Sequence, residues 1–260
     1  MKDYVICMDA SGDIIREAAL ENDIAFVPME YSLGDEMRTS RGCEEEALLK
    51  QFYDGQRRGD LTRTSQISPF MYQEYFKTFL AEGRSVLYFC LSSGLSATYE
   101  SSLMAAENLK EQYPEAELLP VDTLAATGGI GILAERAVEN RKKGLSIREN
   151  YEDMKAFVPH VRHYFMVQDL MYLKRGGRVG AATAIVGSAL NIRPMLKIDE
   201  SGKLVTVDKK RGNKAAMTSL FTFSRRITIR RSAVPYTSVM QIPRNWQRVW
   251  RKKSVRQRPE

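Results

Sequence analysis

The segment that decides the fold is residues 85–111, SVLYFCLSSGLSATYESSLMAAENLKE. Its first part, residues 85–91, is a continuous run of β-type residues, which is typical of a strand covered on both faces. Residues 92–96 form a serine-rich turn, and residues 96–111 repeat apolar side chains at helical spacing. A buried strand followed at once by a helix is the repeating element of a parallel α/β sheet.

The same alternation recurs along the first half of the chain. Short apolar runs predict four strands, at 4–8, 24–27, 85–91 and 117–121. Amphipathic patterns between and after them predict helices, at 43–57, 69–81, 96–111 and 123–143. Strands and helices in this order predict an α/β fold whose first domain, residues 1–145, has a parallel sheet with helices on both faces.

A smaller second α/β domain is predicted for residues 146–220. It begins with a helix at 146–157 and continues with an apolar strand at 163–167 and a helix at 181–190. The sequence DESG at 199–202 has good turn chemistry, and it joins arms at 194–198 and 203–207 into a hairpin.

The tail, residues 221–260, differs from the rest of the chain. It holds 11 Lys or Arg and one acid, Glu260, whereas residues 1–220 carry 28 basic and 31 acidic residues, a net charge of −3. The apolar pattern of a helix that begins at Asn213 also fades after Leu220. This abrupt change predicts a second domain truncated by a frameshift after about residue 220. The alternative is a genuine basic arm for nucleic acid or an anionic membrane.

Composition and motifs narrow the class of protein. The chain has no apolar run of about 18 residues and no signal-peptide core, so we expect a cytoplasmic protein without a membrane span. Three scattered cysteines, Cys7, Cys43 and Cys90, fit reduced core thiols. The two histidines, His160 and His163, lack a nearby third ligand, so no metal is expected. Because nucleophile-elbow and phosphate-loop motifs are also absent, a binding protein is expected and not an enzyme.

Short polar residues follow the predicted strands of the first domain. The sequences DAS at 9–11, SSGLS at 92–96 and DT at 122–123 each close a strand. The carboxyl ends of parallel strands meet at one edge, where ligands of α/β proteins bind. A second hydroxyl cluster, residues 62–66, precedes the helix at 69–81. Hydroxyls beside a helix N-terminus suit a carboxylate or a phosphate.

A basic glycine turn lies in the second domain. Gly176 and Gly177 are flanked by Lys174, Arg175 and Arg178, so the backbone can approach an anion while cations surround it. Arg211, which follows the hairpin, is expected to add a further charge to this region.

These segments together resemble the DegV family of bacterial fatty-acid-binding proteins, over about residues 3–220. The matching motifs are DAS at 9–11, TSQISP at 64–69, LSSGLSATY at 91–99, VDT at 121–123, YLKRGGR at 172–178, NIRPML at 191–196 and KR at 210–211. The sequence departs from the family pattern at Ala10, Ile67 and Ala97, in place of serine, proline and glycine, and in the tail.

The resemblance implies two α/β domains that hold one long-chain fatty acid, such as palmitate or oleate, in an apolar tunnel. The carboxylate would be held by Thr64 and by either Ser96 or Ser93. A separate ATP-dependent fatty acid kinase would convert the bound acid to an acyl-phosphate for phospholipid metabolism. Arg178 and Arg211, with Gly176 and Gly177, would contact the phosphate or the kinase. The chain itself would be a lipid carrier without a cofactor.

Two other functions compete with this interpretation. In the first, the chain is an enzyme acting on a small phosphate ester, with the glycine turn as phosphate cradle and Asp9 or Asp122 as acid or base. In the second, the basic tail binds nucleic acid, although the net charge of −3 on residues 1–220 argues against any contribution from the rest of the chain.

Overall fold

The computed structural model describes residues 4–168, 170–179 and 191–229, with side chains as far as Phe223. Its central element is a four-stranded sheet in the order β2-β1-β6-β7, and all of its pairings are parallel. The register places Ile6 beside both Ile24 and Leu87. The strands are β1 (Val5–Asp9), β2 (Ile24–Val27), β6 (Val86–Cys90) and β7 (Leu118–Asp122). The predicted parallel sheet is confirmed.

Helices cover both faces of this sheet, as predicted. One face packs against α3 (Pro69–Leu80) and α4 (Thr98–Lys110), with Tyr72 and Phe76 fully buried against Tyr88. Successive strand residues point to opposite faces, so Phe89 instead joins the core formed with the helices α5 (Gly128–Lys142) and α6 (Ile147–Phe157). Each such large side chain contributes about 1.5–3 kcal/mol on burial. A short helix, α1 (Arg16–Glu21), joins β1 to β2.

Helix α6 was predicted to open the second domain, and it packs its apolar face in the core of the first sheet. Met154 and Phe157 lie in the same buried cluster as Leu87 and Phe89. Helix α6 thus belongs to the core of the first sheet. The domain boundary at residue 145 stays a prediction.

A small antiparallel sheet was not predicted. Its order is β4-β3-β5, formed by β3 (Met29–Leu33), β4 (Glu36–Ser40) and β5 (Thr62–Thr64). Only Leu33 is buried in these three strands, so their sequence lacks the apolar run that identifies a core strand. Helix α2 (Glu46–Arg58) lies between β4 and β5. The first three residues of the predicted hydroxyl cluster at 62–66 thus form β5, and Thr64 is the last residue of that strand.

The predicted second domain contains another antiparallel sheet, called the second sheet. It consists of β8 (Tyr164–Met166), β9 (Ile192–Ile198) and β10 (Leu204–Arg211), in the order β10-β9-β8. The hairpin of β9 and β10 was predicted. Leu196 packs on one face with Leu170 and Val179, beside the helix α7 (Met171–Arg175). Met195 packs on the other face against α8 (Asn213–Ile229).

Two predictions about the second domain are not decided by this fold. The predicted helix at 181–190 lies outside the described residues. Helix α8 continues past Leu220 to Ile229, and the tail beyond that residue also lies outside them. The frameshift proposed after residue 220 therefore stays a prediction.

His163 connects the second sheet to the first. It lies just before β8, is only 8% exposed, and packs its imidazole against Gly129 in the first turn of α5, where a Cβ would collide with Nε2. Among the described residues Nε2 has no hydrogen-bond partner. Burial lowers the pKa of His163 to about 4, so the ring is neutral at pH 7.

We predict that His163 makes the protein less stable in mild acid. Its pKa is lower in the folded than in the unfolded chain, so stability is lost as the pH falls from about 6.5 toward about 4. The loss between pH 7 and pH 5 is on the order of 2 kcal/mol. Urea unfolding at both pH values should show a smaller loss for His163→Gln. An equal loss in both proteins would contradict this assignment, because Asp9 and the other acids are common to both.

Candidate ligand-binding site

Asp9 ties together the carboxyl ends of β1 and β6. Its Oδ2 accepts a hydrogen bond from the Leu91 backbone N–H at 2.6 Å, and its Oδ1 accepts the Tyr88 hydroxyl and, at 3.4 Å, the Tyr72 hydroxyl. The residue is fully buried. Burial raises the pKa of Asp9, and the hydrogen bonds from Tyr88 and Leu91 oppose that rise.

This environment gives Asp9 a structural task. Both carboxylate oxygens already have donors, and the side chain has no contact with solvent through which a substrate proton could pass. These hydrogen bonds fix the start of the loop that follows β6. An acid or base in a phosphate-ester enzyme would have to reach the substrate, and the buried Asp9 does not.

Asp122 organises the next part of the same loop. Its Oδ2 accepts the Ser93 hydroxyl at 2.5 Å, and its Oδ1 accepts the backbone N–H groups of Ser93 and Leu124, each at 3.1 Å. A serine hydroxyl has one proton to donate. In this structure the proton of Ser93 is donated to Asp122.

The loop 122–127 takes the place of the first turn of a predicted helix. That helix was predicted from residue 123, but α5 begins at Gly128. The helix starts later than predicted because Leu124 and Thr127 have φ values of 46° and 48°, which a right-handed helix excludes. The Thr123 hydroxyl holds the loop by donating to the Cys90 carbonyl at 2.6 Å.

Ser96 lies where the loop enters α4. The N–H groups of Leu95 and Ser96 both donate to the Ser92 carbonyl, at 2.9 and 3.2 Å, which closes a tight turn before the helix. Ala97 occupies the N-cap without a side-chain hydrogen bond. Within the described part of the chain the Ser96 hydroxyl has no partner, so it stands beside a helix N-terminus that favours an anion.

The segment that contains Thr64 is held against this same helix start. The Gln66 side chain donates to the Ala97 carbonyl at 3.0 Å and to the Ser101 hydroxyl at 2.7 Å. Thr64 itself is exposed at the end of β5. Helix α3 follows with Ser68 as N-cap, accepting from the Met71 N–H at 3.3 Å, as its sequence predicts.

The basic glycine turn reaches the same loop from the second sheet. Arg178 Nε donates to the Leu95 carbonyl at 3.2 Å, and its Nη1 donates to the Gly176 carbonyl. Gly177 has a φ of 75°, a left-handed conformation that glycine adopts without strain. Among the described residues no carboxylate forms an ion pair with Arg178, so its charge is not neutralised by an acid there.

Arg211 does not join this group. It is the last residue of β10 and pairs with Ile192, whereas the hairpin turn at the other end of the strand contacts the loop at Ser92. The length of β10 separates its two ends by roughly 23 Å. The structure thus brings Arg178 and its two glycines to the loop that carries Ser93 and Ser96. It holds the segment of Thr64 against the same loop through Gln66, and it leaves Arg211 at a distance.

Two features of the site were not predicted from the sequence. The contact of Ser92 with Gly202, at 2.8 Å from Oγ to the carbonyl oxygen, joins residues far apart in the chain. The role of Gln66 depends on where α4 lies relative to β5, for which the sequence contains no local signal. The polar strand ends at Asp9 and Asp122 were predicted to converge, and that convergence is confirmed. These strand ends and the loop of residues 91–97 form the rim of the site.

The described ranges contain neither a cluster of side chains suited to a metal ion nor a membrane-spanning helix. No group of three His, Cys, Asp or Glu side chains there is arranged to hold a metal ion. No helix among those residues is long and apolar enough to span a bilayer.

Comparison with known proteins identifies the family. A model of the DegV family, described as uncharacterised proteins, matches residues 4–243. A DegV domain-containing protein of Clostridium perfringens is 37% identical over 221 residues, which is 85% of this chain and 76% of that protein. The fold is therefore that of a DegV-type α/β protein. The chain belongs to the DegV family.

Solved structures agree with this assignment. A DegV lipid-binding protein of Thermotoga maritima has a TM-score of 0.74 and 28% identity, covering 86% of this chain and 77% of that one. A Streptococcus pneumoniae fatty acid kinase B3 protein, loaded with linoleic acid, has the same TM-score at 21% identity, covering 86% and 78%. The first of these proteins is described as lipid-binding, and the second holds linoleic acid.

We predict that Tyr88→Phe destabilises the protein by about 1.5–3 kcal/mol, because it removes a hydrogen bond to a buried carboxylate without opening a cavity. The deficit should shrink in acid, where Asp9 is protonated. Urea unfolding measures both effects. The matched control is Tyr53→Phe, at a tyrosine that is 51% exposed. Equal stability of the two variants would show that the Asp9 contact does not hold the rim.

Proposed function

We propose that this protein binds one long-chain fatty acid and presents its carboxylate to a separate ATP-dependent fatty acid kinase. The observation that carries the proposal is the meeting of three segments at the start of α4. Gln66 ties the Thr64 segment to Ala97, Arg178 donates to Leu95, and Ser96 lies between these two contacts along the chain.

Ser96, and not Ser93, is the serine that we assign to the carboxylate. The Ser93 proton is donated to Asp122, and a second carboxylate beside Asp122 would be repelled. Ser96 carries its hydroxyl at the N-terminus of a 13-residue helix, where the backbone supplies further donors and a partial positive charge. Thr64 is the second donor, presented by β5 and held near α4 through Gln66.

The acyl chain supplies most of the binding energy in this proposal. A tail of about 15 methylenes contributes about 0.8 kcal/mol for each one buried, before the cost of association is subtracted. The head-group contacts then decide which end of the ligand faces the rim. Palmitate and oleate are suitable ligands, no cofactor is needed, and the related Thermotoga maritima protein is itself described as lipid-binding.

Arg178 is the residue that we assign to the phosphorylated head group. Its guanidinium is next to the carboxylate site and is not paired with an acid among the described residues, so it can stabilise charge that develops on phosphoryl transfer. Gly176 and Gly177 let the turn approach, and Arg211 is assigned to the kinase contact because it is exposed and distant from the carboxylate site. The pneumococcal neighbour, which is named for a fatty acid kinase, supports such a partner.

The setting of this activity is the cytoplasm. Cys7, Cys43 and Cys90 are free thiols, which a reducing compartment preserves. Two of them are fully buried and pack in the core. The product, an acyl-phosphate, would enter phospholipid metabolism.

The delipidated full chain should bind oleate with one site per chain, measured by isothermal titration calorimetry. Ser96→Ala should weaken binding about tenfold, because it removes a hydrogen bond to a charged group. The matched variant Ser93→Ala should change Kd by less than about threefold, since its proton serves Asp122. No binding by the unmodified chain would overturn the function, and a larger effect at Ser93 would overturn the assignment of the serine.

Arg178→Ala should separate binding from phosphoryl transfer. We expect the Kd for oleate to change by less than about threefold, while acyl-phosphate formation by a purified fatty acid kinase falls by about 100-fold or more. Radiolabelled ATP measures the transfer. Arg175→Ala, in the same turn, is the control and should retain the rate. If both variants transfer phosphate at the unmodified rate, Arg178 has no role in that step.

A further inference from the structure

Every polar group of Ser92 forms a hydrogen bond within the protein, and none of them is assigned to the fatty acid. It is fully buried. Its hydroxyl donates to the Gly202 carbonyl at 2.8 Å and accepts from the Gly94 N–H at 3.2 Å. Its own N–H donates to the Ala125 carbonyl at 3.0 Å, and its carbonyl accepts the two N–H groups that close the turn before α4. The side chain therefore joins the loop after β6 to the hairpin of the second sheet.

Two glycines make this contact possible. A Cβ on Gly94 would lie 2.6 Å from the carbonyl carbon of Gly202 and 2.6 Å from the carbonyl oxygen of Ser201. A Cβ on Gly202 would collide with the Ser92 hydroxyl, and the φ of 76° at Gly202 disfavours any other residue. The two backbones are thus in direct contact, without an intervening side chain.

The hairpin turn that carries Gly202 is held by Asp199. Asp199 Oδ1 accepts the Ser201 N–H at 3.0 Å, the Ser201 hydroxyl at 2.8 Å and the Lys203 N–H at 2.9 Å. The Gly202 N–H also donates to the Asp199 backbone carbonyl at 3.0 Å. The direction of the Gly202 carbonyl therefore depends on the Asp199 side chain, although within the described part of the chain that side chain has no hydrogen bond to the first sheet.

We infer that Ser92 is a positioning residue, through which the hairpin turn 199–203 sets the geometry of the loop that carries Ser96. The inference rests on the proposed function, because Ser96 is the carboxylate donor there. Its physical basis is the chain of contacts from Asp199 to Gly202, from Gly202 to Ser92, and from the Ser92 carbonyl to Ser96. The second sheet thus shapes the carboxylate site without contributing a side chain at this point.

Asp199→Ala tests the inference without touching the loop or the core. It should weaken oleate binding by about three- to tenfold, measured by calorimetry on the delipidated full chain. Asp199→Asn keeps the Oδ1 acceptor and should bind as the unmodified chain does. Asp208→Ala is the control on the same hairpin, since Asp208 pairs with Lys210 away from the turn. Equal affinity of Asp199→Ala and Asp199→Asn would overturn the inference.

A double variant separates coupling from general loss of stability. Ser92→Ala should weaken binding by about tenfold, and adding Asp199→Ala should cost little more, because the link that it acts through is already lost. Independent, multiplied effects would contradict the inference. If Ser92→Ala does not fold, the two Asp199 variants still decide the question.

A measurement without ligand keeps this inference distinct from the proposed function. Amide hydrogen exchange at residues 92–96 should be faster in Asp199→Ala than in Asp199→Asn or Asp208→Ala. Failure of the unmodified chain to bind oleate would overturn the proposed function, while unchanged exchange in Asp199→Ala would overturn the coupling itself.

Discussion

The hydrogen bond from the Leu91 backbone N–H to the Asp9 carboxylate is the contact on which the rest of the rim depends. It joins the carboxyl ends of β1 and β6 one residue beyond the end of β6. A buried carboxylate is tolerated only while donors satisfy it, and the Tyr88 hydroxyl and this N–H do so. The buried carboxylate of Asp9 therefore fixes the position from which the loop runs from β6 toward α4.

Three serines of one loop acquire different tasks from their neighbours. Ser92 is buried and bonds to the hairpin, Ser93 donates to Asp122, and Ser96 stands at the helix entry without a partner among the described residues. Their side chains are chemically identical, so only the surrounding acceptors distinguish them. The availability of Ser96 for a ligand is in this sense a consequence of where Asp122 and Gly202 lie.

The parts of the fold that could be predicted are those with local signals. Residues 85–91 identify a core strand because they are a continuous run of β-type residues, and Ser68 with Pro69 marks a helix start. The antiparallel sheet of β3, β4 and β5 was missed because its strands are largely exposed and polar. The strand ends of the site were predicted together, since a parallel sheet aligns them. The contact between Ser92 and Gly202 spans 110 residues, and only the tertiary structure creates it.

A site that receives a carboxylate must keep its own acids away from the ligand. Asp9 is buried and accepts from the Leu91 N–H and the Tyr88 hydroxyl, and Asp122 accepts from three neighbouring donors, so among the described residues neither acid is hydrogen-bonded to Ser96. The field at Ser96 is then set mainly by the N-terminus of α4. Arg178, whose hydrogen bonds within the described residues go to the neutral carbonyls of Leu95 and Gly176, keeps its positive charge for the proposed phosphoryl transfer. Pairing Arg178 with an acid would have removed that charge. Its neutral partners fix the guanidinium in place and leave the positive charge available to a ligand.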